Sequence, residues 1–362
     1  MIYYFISLYP KPVREKEVQF VEQMIEWFLT NKRDLPWRNE KNPYKIWISE
    51  IMLQQTRVSS VVSYFNRFMN HFPTCQSLAE ASLEDVYKVW EGLGYYSRAK
   101  NIWKSAQIIQ DKFGGTFPQT YLEIISLPGI GEYTAGAILS IAYNQPYPAV
   151  DGNVLRVFAR IFRIQKDILD PKTKKEITQL VGENLSVSSP SDYTESIMEL
   201  GALLCLPKNP KCLVCPVHLS CLAFTNGEQD IIPIRLDKTI QVVEELVVLI
   251  VRVDEKIWIE KRAESGLLGG FWQLPNFLKQ NDQPISQQIE NFLRTKDICI
   301  TSSQFLFSEK HIYSHRIWKM DVYEILVENS QSQNSENLLW ILREDFQKFP
   351  IGGAFRKILK RL

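Results

Sequence analysis

A chain of 362 residues that is 45% hydrophobic and 23% charged has apolar material for two or three globular domains, which excludes a disordered or fibrous chain. The formal net charge is +1 and neither half departs from neutrality, so a broad basic surface is excluded; nucleic-acid binding would need a local arrangement of backbone N–H groups and a few Lys or Arg. The opening stretch MIYYFISLYP is apolar but lacks a basic flank and a small-residue cleavage site. No run is long enough to span a bilayer, so the expectation is a cytoplasmic protein with no membrane partner.

Helical patterns fill the chain from about Glu15 to Phe224. Glu17 to Leu29 is amphipathic, and LPWR (Leu35 to Arg38) breaks the pattern. In the stretch that follows, NPYKIWISEIMLQQT (Asn42 to Thr56), Trp47, Ile51, Val58, Val62 and Phe65 recur at three- and four-residue steps. That spacing predicts an amphipathic helix, with Asn42 as its cap and Pro43 in its first turn. Glu50 sits in its middle. It is either a solvated glutamate on a polar face or a carboxyl whose apolar neighbours raise its pKa, as a general acid requires. Shorter patterns follow at Leu83 to Trp90, Ser97 to Phe113, Tyr121 to Leu127 and Thr134 to Tyr143. Gly152 to Arg163, Lys172 to Leu185 and Asp192 to Leu204 complete the helical region.

Between two of these helices lies LPGIGEYTAGA (Leu127 to Ala137). Gly129 and Gly131 at this spacing allow positive φ and close backbone approach. The turn also opens a helix whose N-terminus attracts an anion such as a DNA phosphate. A plain helical corner without a ligand fits the same residues. Twenty residues on, Asp151 precedes a helix start in AVDGNVLRV, as a cap that is also free to do chemistry.

The chain has six Cys, four of them spaced C-x6-C-x2-C-x5-C at Cys205, Cys212, Cys215 and Cys221. In a reducing compartment such a cluster points to a metal group, and four thiolates suit zinc or a [4Fe–4S] cluster alike. Four protein ligands leave no open position for chemistry, so the site reads as structural. Lys208 and Lys211 beside it would present charge to a phosphate backbone.

After the cysteines, Asn226 to Lys238 is polar and contains Pro233, as a linker does. Gln241 to Arg252, Lys256 to Arg262 and Ile317 to Leu326 read as strands. Ile285 to Arg294 and Arg343 to Leu359 read as helices. The fold class is therefore multidomain: an all-α region followed by an α/β region.

LPGIGEYTA, Asp151 of VDGNV and the four cysteines, in that order, resemble the helix-hairpin-helix DNA glycosylases that carry a [4Fe–4S] cluster. LPWR, WISEIMLQQT, GLGYYSRA (Gly92 to Ala99) and the C-terminal region narrow the resemblance to the MutY-type adenine DNA glycosylases. It implies a glycosylase region over 15–225, with a six-helix module at about 35–143 and a cluster module formed by 15–34 and 144–225. A linker at 226–239 and a Nudix-like domain at 240–362 would follow.

The implied substrate is adenine mispaired with 8-oxoguanine or guanine in duplex DNA, handled by a monomer. By resemblance Glu50 is the acid and Asp151 the carboxylate that stabilises the sugar cation. Tyr133 stands where lyase relatives carry Lys, which implies a monofunctional enzyme. Leu53, Gln55 and Tyr95 match residues that enter the helix beside the oxidised base, Thr56 is a further DNA-binding residue, and Trp37, Arg38 and Glu195 match the adenine pocket. Cys205, Cys212, Cys215 and Cys221 match the cluster ligands, and Gly129 and Gly131 the phosphate-binding hairpin.

LLGGFWQLPNF resembles the start of a Nudix domain, but the helix ISQQIENFLRT lacks the acidic cluster that binds Mg²⁺ in hydrolases, so a binding role is expected. HIYSH (His311 to His315) matches the family's H-x-F-S-H loop, with Tyr313 in place of Phe. Tyr313, Ser314 and His315 would meet 8-oxoguanine. A bifunctional pyrimidine-lesion glycosylase, a G·T mismatch glycosylase and a non-catalytic lesion binder are the competing readings.

Overall fold

The computed structural model describes residues 15–38, 40–236, 241–263, 266–313, 315–327 and 335–362, and of residues 15–18 the backbone alone. The chain forms two compact units. One takes in the described residues up to Ala81 and from Lys100 to Leu236; the other joins Ser82–Ala99 to the described residues from Gln241 onward.

Among the described residues, the helices before the cysteines are α1 (Glu15–Asn31), α2 (Pro43–Leu53), α3 (Val58–His71), α4 (Cys75–Glu80), α5 (Leu83–Trp90), α6 (Ser97–Phe113), α7 (Tyr121–Ile125), α8 (Glu132–Tyr143), α9 (Gly152–Ile161), α10 (Pro171–Glu183) and α11 (Pro190–Leu203). A one-turn helix, α12 (Leu222–Thr225), closes the cysteine segment.

The first helix to matter for function is α2. Asn42 Oδ1 accepts from the N–H groups of Tyr44 at 3.0 Å and Lys45 at 3.3 Å, and Pro43 takes the first position, where no N–H is needed. Two expectations fail here. The helix is not amphipathic: Tyr44, Ile46, Trp47, Ile48, Ser49, Glu50, Ile51 and Met52 are all buried, because α8 and α3 pack on it. Nor does it continue through Val58 to Phe65. Thr56 N bonds back to Leu53 O at 3.2 Å, Gln55 turns left-handed with φ 58°, and α3 starts afresh. The apolar spacing crosses the break in phase, so periodicity alone could not reveal it.

The N-terminal and C-terminal parts of this unit meet at α11, which packs on α1, α8 and α9. Tyr193, Ile197 and Leu200 join Phe20, Met24, Val154 and Phe158 in one core. The polar stretch after α12 is no free tether as far as it is described. Ile232 is buried, Glu228 pairs with Arg163 at 2.7 Å, and Ile234 O accepts from Ile168 N at 3.0 Å. Burial of Ile232 outweighs the polar composition that marked the stretch as linker.

The second unit is built on a sheet of β1 (Val242–Val253), β2 (Lys256–Lys261), β3 (Trp272–Gln273), β4 (Asn276–Leu278), β5 (Ser302–Ile312), β6 (Arg316–Leu326) and β7 (Leu338–Leu342). Its order is β3-β2-β1-β6-β5, with β4 on β1 and β7 on β2. Among the described strands only β1 and β6 pair in parallel. Side chains alternate across a strand, so Leu246, Val248 and Ile250 of β1 face one core and Val247, Leu249 and Val251 the other. Helix α13 (Ile285–Arg294) covers the second with Ile289 and Leu293. Helix α14 (Gly353–Leu359) covers the first with Phe355 and Ile358.

The helix expected from Arg343 to Leu359 is instead a 3₁₀ segment, Arg343–Lys348, followed by α14. Pro350 and the bridge from Ile351 to Trp272 interrupt it, since proline cannot donate to a helix. Within this unit the rings of Tyr87 and Tyr96 pack on Phe271, at 4.8 and 4.1 Å, and Glu91 pairs with Arg356.

Candidate active site

A cleft of about 560 Å³ opens in the helical unit between α2, α8, α11 and the start of α9. Glu50 lies at its floor, 5% exposed. Burial raises its carboxyl to about 7, and the charges of Asp151 and Glu195 push the same way, while Tyr133 and Arg38 pull it down. Tyr133, from the first turn of α8, donates its hydroxyl to Glu50 Oε2. Burial, with Glu50 and Asp151 nearby, holds that phenol well above its ordinary value, so it remains a donor. Glu50 is thus a carboxyl that carries a proton near neutrality, with one oxygen already held.

The second carboxylate is fixed by the helix it starts. Asp151 caps α9: Oδ1 accepts from Asn153 N at 2.9 Å and Val154 N at 2.8 Å, and Oδ2 accepts from Asn153 Nδ2 at 2.8 Å. Capping and chemistry coincide, because the orphan N–H groups of the helix start favour an anion there. Asn153 Oδ1 in turn accepts from Arg156 Nη2 at 2.8 Å, and Arg156 Nε donates to Cys205 O at 2.7 Å.

The far wall carries charge. Arg38 Nε meets Glu195 Oε1 at 3.3 Å, and burial raises the Glu195 carboxyl against the pull of Arg38. Trp37, 7% exposed, stands edge-on to Phe65 at 5.3 Å. Leu53, Gln55 and Thr56, from the break after α2, also line the cleft. So Trp37, Arg38, Glu50, Leu53, Gln55, Thr56, Tyr133, Asp151 and Glu195 share one cavity. Sequence reading missed Arg33, Asn153 and Glu199 in that lining. Glu199 had a signal: it follows Glu195 by four residues, which places both on one helix face.

Residues 48–184 match the HhH-GPD superfamily of base excision DNA repair proteins, and residues 246–361 match the NUDIX domain. The chain is 36% identical over 299 residues to the adenine DNA glycosylase of Buchnera aphidicola subsp. Acyrthosiphon pisum, covering 82% of this chain and 84% of that one. The human adenine DNA glycosylase is 30% identical over 400 residues, covering 94% of this chain and 73% of the relative. The structure of a thermostable thymine-DNA glycosylase superposes with a TM-score of 0.54 at 26% identity, over 59% of this chain and 98% of that one. The chain belongs to the adenine DNA glycosylase family. Its helical unit is a helix-hairpin-helix glycosylase core and its sheet unit is Nudix-like. It is a base-excision-repair glycosylase that acts on adenine.

The hairpin of this glycosylase lies between α7 and α8. Gly129 takes φ +79°, and a Cβ there would lie 2.7 Å from Asn101 Cβ. Gly131 departs from the expectation of positive φ: it caps α8 at φ −100°, and open space surrounds its Cβ position.

Cys205, Cys212, Cys215 and Cys221 line one small cavity of their own, and Arg160 Nη1 donates to Cys205 Sγ at 3.3 Å. A cationic donor beside four thiols suits a group that leaves net negative sulfur, and the donor set fits the family's iron–sulfur group. Among the described residues, no three His, Cys, Asp or Glu side chains form a site for a single metal ion.

The remaining residues singled out by sequence belong to the sheet unit. Tyr95 is exposed with φ 50°, an uncommon backbone state for a ring-bearing residue. Tyr313 follows the end of β5, its ring packed on Trp318 at 5.0 Å and on His311 at 4.6 Å. The hydroxyl that distinguishes it from Phe is buried without a hydrogen-bond partner among the described residues. His315 is exposed, and Ser314 lies outside the described residues.

Proposed function

We propose that the cleft removes adenine paired with 8-oxoguanine or guanine in duplex DNA by acid-assisted hydrolysis of the N-glycosidic bond. The observation that carries this reading is Glu50, buried, held by Tyr133 and protonated near pH 7, beside an Asp151 fixed by three hydrogen bonds. Adenine leaves readily only when its ring is protonated. Glu50 gives its proton to N7 as the bond to C1′ breaks, and the departing base takes the bonding electrons. A positioned acid of this kind contributes roughly 10²–10⁴-fold.

The sugar is left as an oxocarbenium cation, which Asp151 stabilises until water adds at C1′ and gives its proton to Glu50. Glu195 and Arg38 face the base, and Trp37 offers it an apolar surface. Leu53, Gln55 and Tyr95 fill the gap left in the duplex, offsetting the few kcal/mol of unstacking. Tyr313, Ser314 and His315 read the opposite 8-oxoguanine. The protein acts as a monomer. The four cysteines, all in the segment between α11 and α12, would hold a [4Fe–4S] cluster, which would cross-link that segment.

The test is one duplex. The wild-type protein should turn an 8-oxoguanine·adenine duplex into an alkali-labile abasic strand, while Glu50→Gln binds the same duplex without excision. Normal excision by Glu50→Gln would remove Glu50 from the acid role. Tyr133 has no amine to form a Schiff base, so borohydride should trap little protein on DNA; abundant trapping would overturn the monofunctional reading. Broad visible absorption lost in Cys215→Ser would separate iron–sulfur from zinc.

A further inference from the structure

The geometry points to Glu199 as the positioning residue that fixes Arg33 and Arg38 as one rigid wall of the cleft and so sets how Glu195 meets the base. This rests on reading the cleft as an adenine site. The Glu199 side chain is fully covered. Its Oε1 accepts from Arg33 N at 2.9 Å and Arg33 Nε at 2.8 Å; its Oε2 accepts from Arg33 Nη2 at 2.6 Å and Arg38 Nη2 at 2.7 Å. A carboxylate has about four acceptor positions, and these four donors use them. Glu199 therefore lines the cleft without capacity for a bond to substrate.

Burial opposes its charge, yet the bonds from Arg33 and Arg38 outweigh that and hold it at about 2. It is ionised at any working pH, so this wall does not titrate. Arg38 is pinned from several sides: Nη2 on Glu199, Nη1 on Arg33 O at 3.3 Å, the guanidinium 5.4 Å from the Phe28 ring, and Nε toward Glu195. Glu195 meets Arg38 through Oε1, which leaves its other oxygen for a donor such as an exocyclic amine.

Removing the Glu199 charge frees two cations beside two carboxyls. They re-pair with Glu195 and Glu50, turning the first away from the base and drawing the proton off the second. The groups facing Glu50 are Tyr133 from α8, Asp151 at the start of α9, Glu195 from α11 and Arg38 from the loop after α1. Of these, Arg38 loses its anchor and Glu195 turns with it, while Tyr133 and Asp151 keep theirs.

The experiment compares wild type, Glu199→Gln and Glu199→Asp in single-turnover excision on an 8-oxoguanine·adenine duplex across pH, with duplex affinity and thermal midpoint measured alongside. Misplacing a positioning group by about 1 Å costs on the order of 10²-fold. Glu199→Gln should excise roughly 10–100-fold more slowly with affinity within about threefold, its alkaline limb should move to lower pH, and Glu199→Asp should recover part of the rate.

A folded Glu199→Gln with wild-type rate and pH profile would overturn the assignment. So would equal losses in Glu199→Gln and Glu199→Asp with no shift of the limb, which mark a merely structural role. If Glu199→Gln does not fold, Arg33→Lys, which loses the planar fork of Nε and Nη2 that holds the two Glu199 oxygens apart from Arg38, carries the test with the same expected slowing, and an unchanged rate overturns it. Loss of wild-type excision would instead refute the adenine reading itself.

Discussion

Glu50 and Glu199 stand in the same cleft with opposite titration. Glu199 is held at about 2, so its stabilisation is present above the ordinary carboxyl range and is lost as pH falls toward 2. Glu50 is raised from 4.5 to about 7. Between those values the folded state binds a proton that the unfolded state has released, so stability falls as pH rises from 4.5 to 7. Glutamine does not titrate and still accepts from Tyr133. Glu50→Gln is therefore expected to be more stable than wild type at pH 8, by on the order of 3 kcal/mol, with the gap closing near pH 4. Denaturant melts at the two pH values measure it; equal stabilities at pH 8 would contradict a buried, raised carboxyl. Excision by the wild type is expected to fall above about pH 7, tenfold per unit, as Glu50 loses its proton.

Helix α8 carries much of the precision of the site, because Tyr133 sits in its first turn and its other residues pack against α2 and α11. Its approach to the following chain depends on Gly136, where a Cβ would lie 2.2 Å from Pro148 O. That atom is backbone and cannot swing aside. Gly136→Ala should cost about 1–3 kcal/mol by overpacking and, by shifting α8, slow excision as well. Thermal melts and single-turnover rates on the same preparation test both, and a variant of unchanged stability would refute the close approach. The break between α2 and α3 acts at the same scale: it turns Gln55 left-handed and brings Leu53 and Thr56 to the cleft.

At the scale of the molecule, the assignment of Ser82–Ala99 to the sheet unit has a consequence. Tyr87, 4% exposed, and Tyr96 pack on Phe271, and Glu91 pairs with Arg356. A chain ending at Asp237 leaves both rings without that cover. It is expected to melt lower than the full chain and to bind a dye for exposed apolar surface. An unchanged melt with no dye binding would show that Phe271 contributes nothing to that segment.

The sequence alone determined the parts whose signal is local. The cap at Asn42, the cap at Asp151, the glycine turn before α8 and the cysteine spacing each depend on neighbours a few residues away, and each is legible without coordinates. The helical region and the α/β region could likewise be told apart by period. What the tertiary structure decided is everything that depends on distant neighbours. The helix of Glu50 looked amphipathic because periodicity counts one apolar face; packing by α8 and α3 buries it nearly all round, and that burial raises the carboxyl. Glu199 and Arg33, 166 residues apart, are ordinary charges in sequence and become one pinned pair only when α11 closes against the loop after α1. Strands β3, β4, β5 and β7 escaped notice because a strand finds its hydrogen bonds in other segments, not in its own.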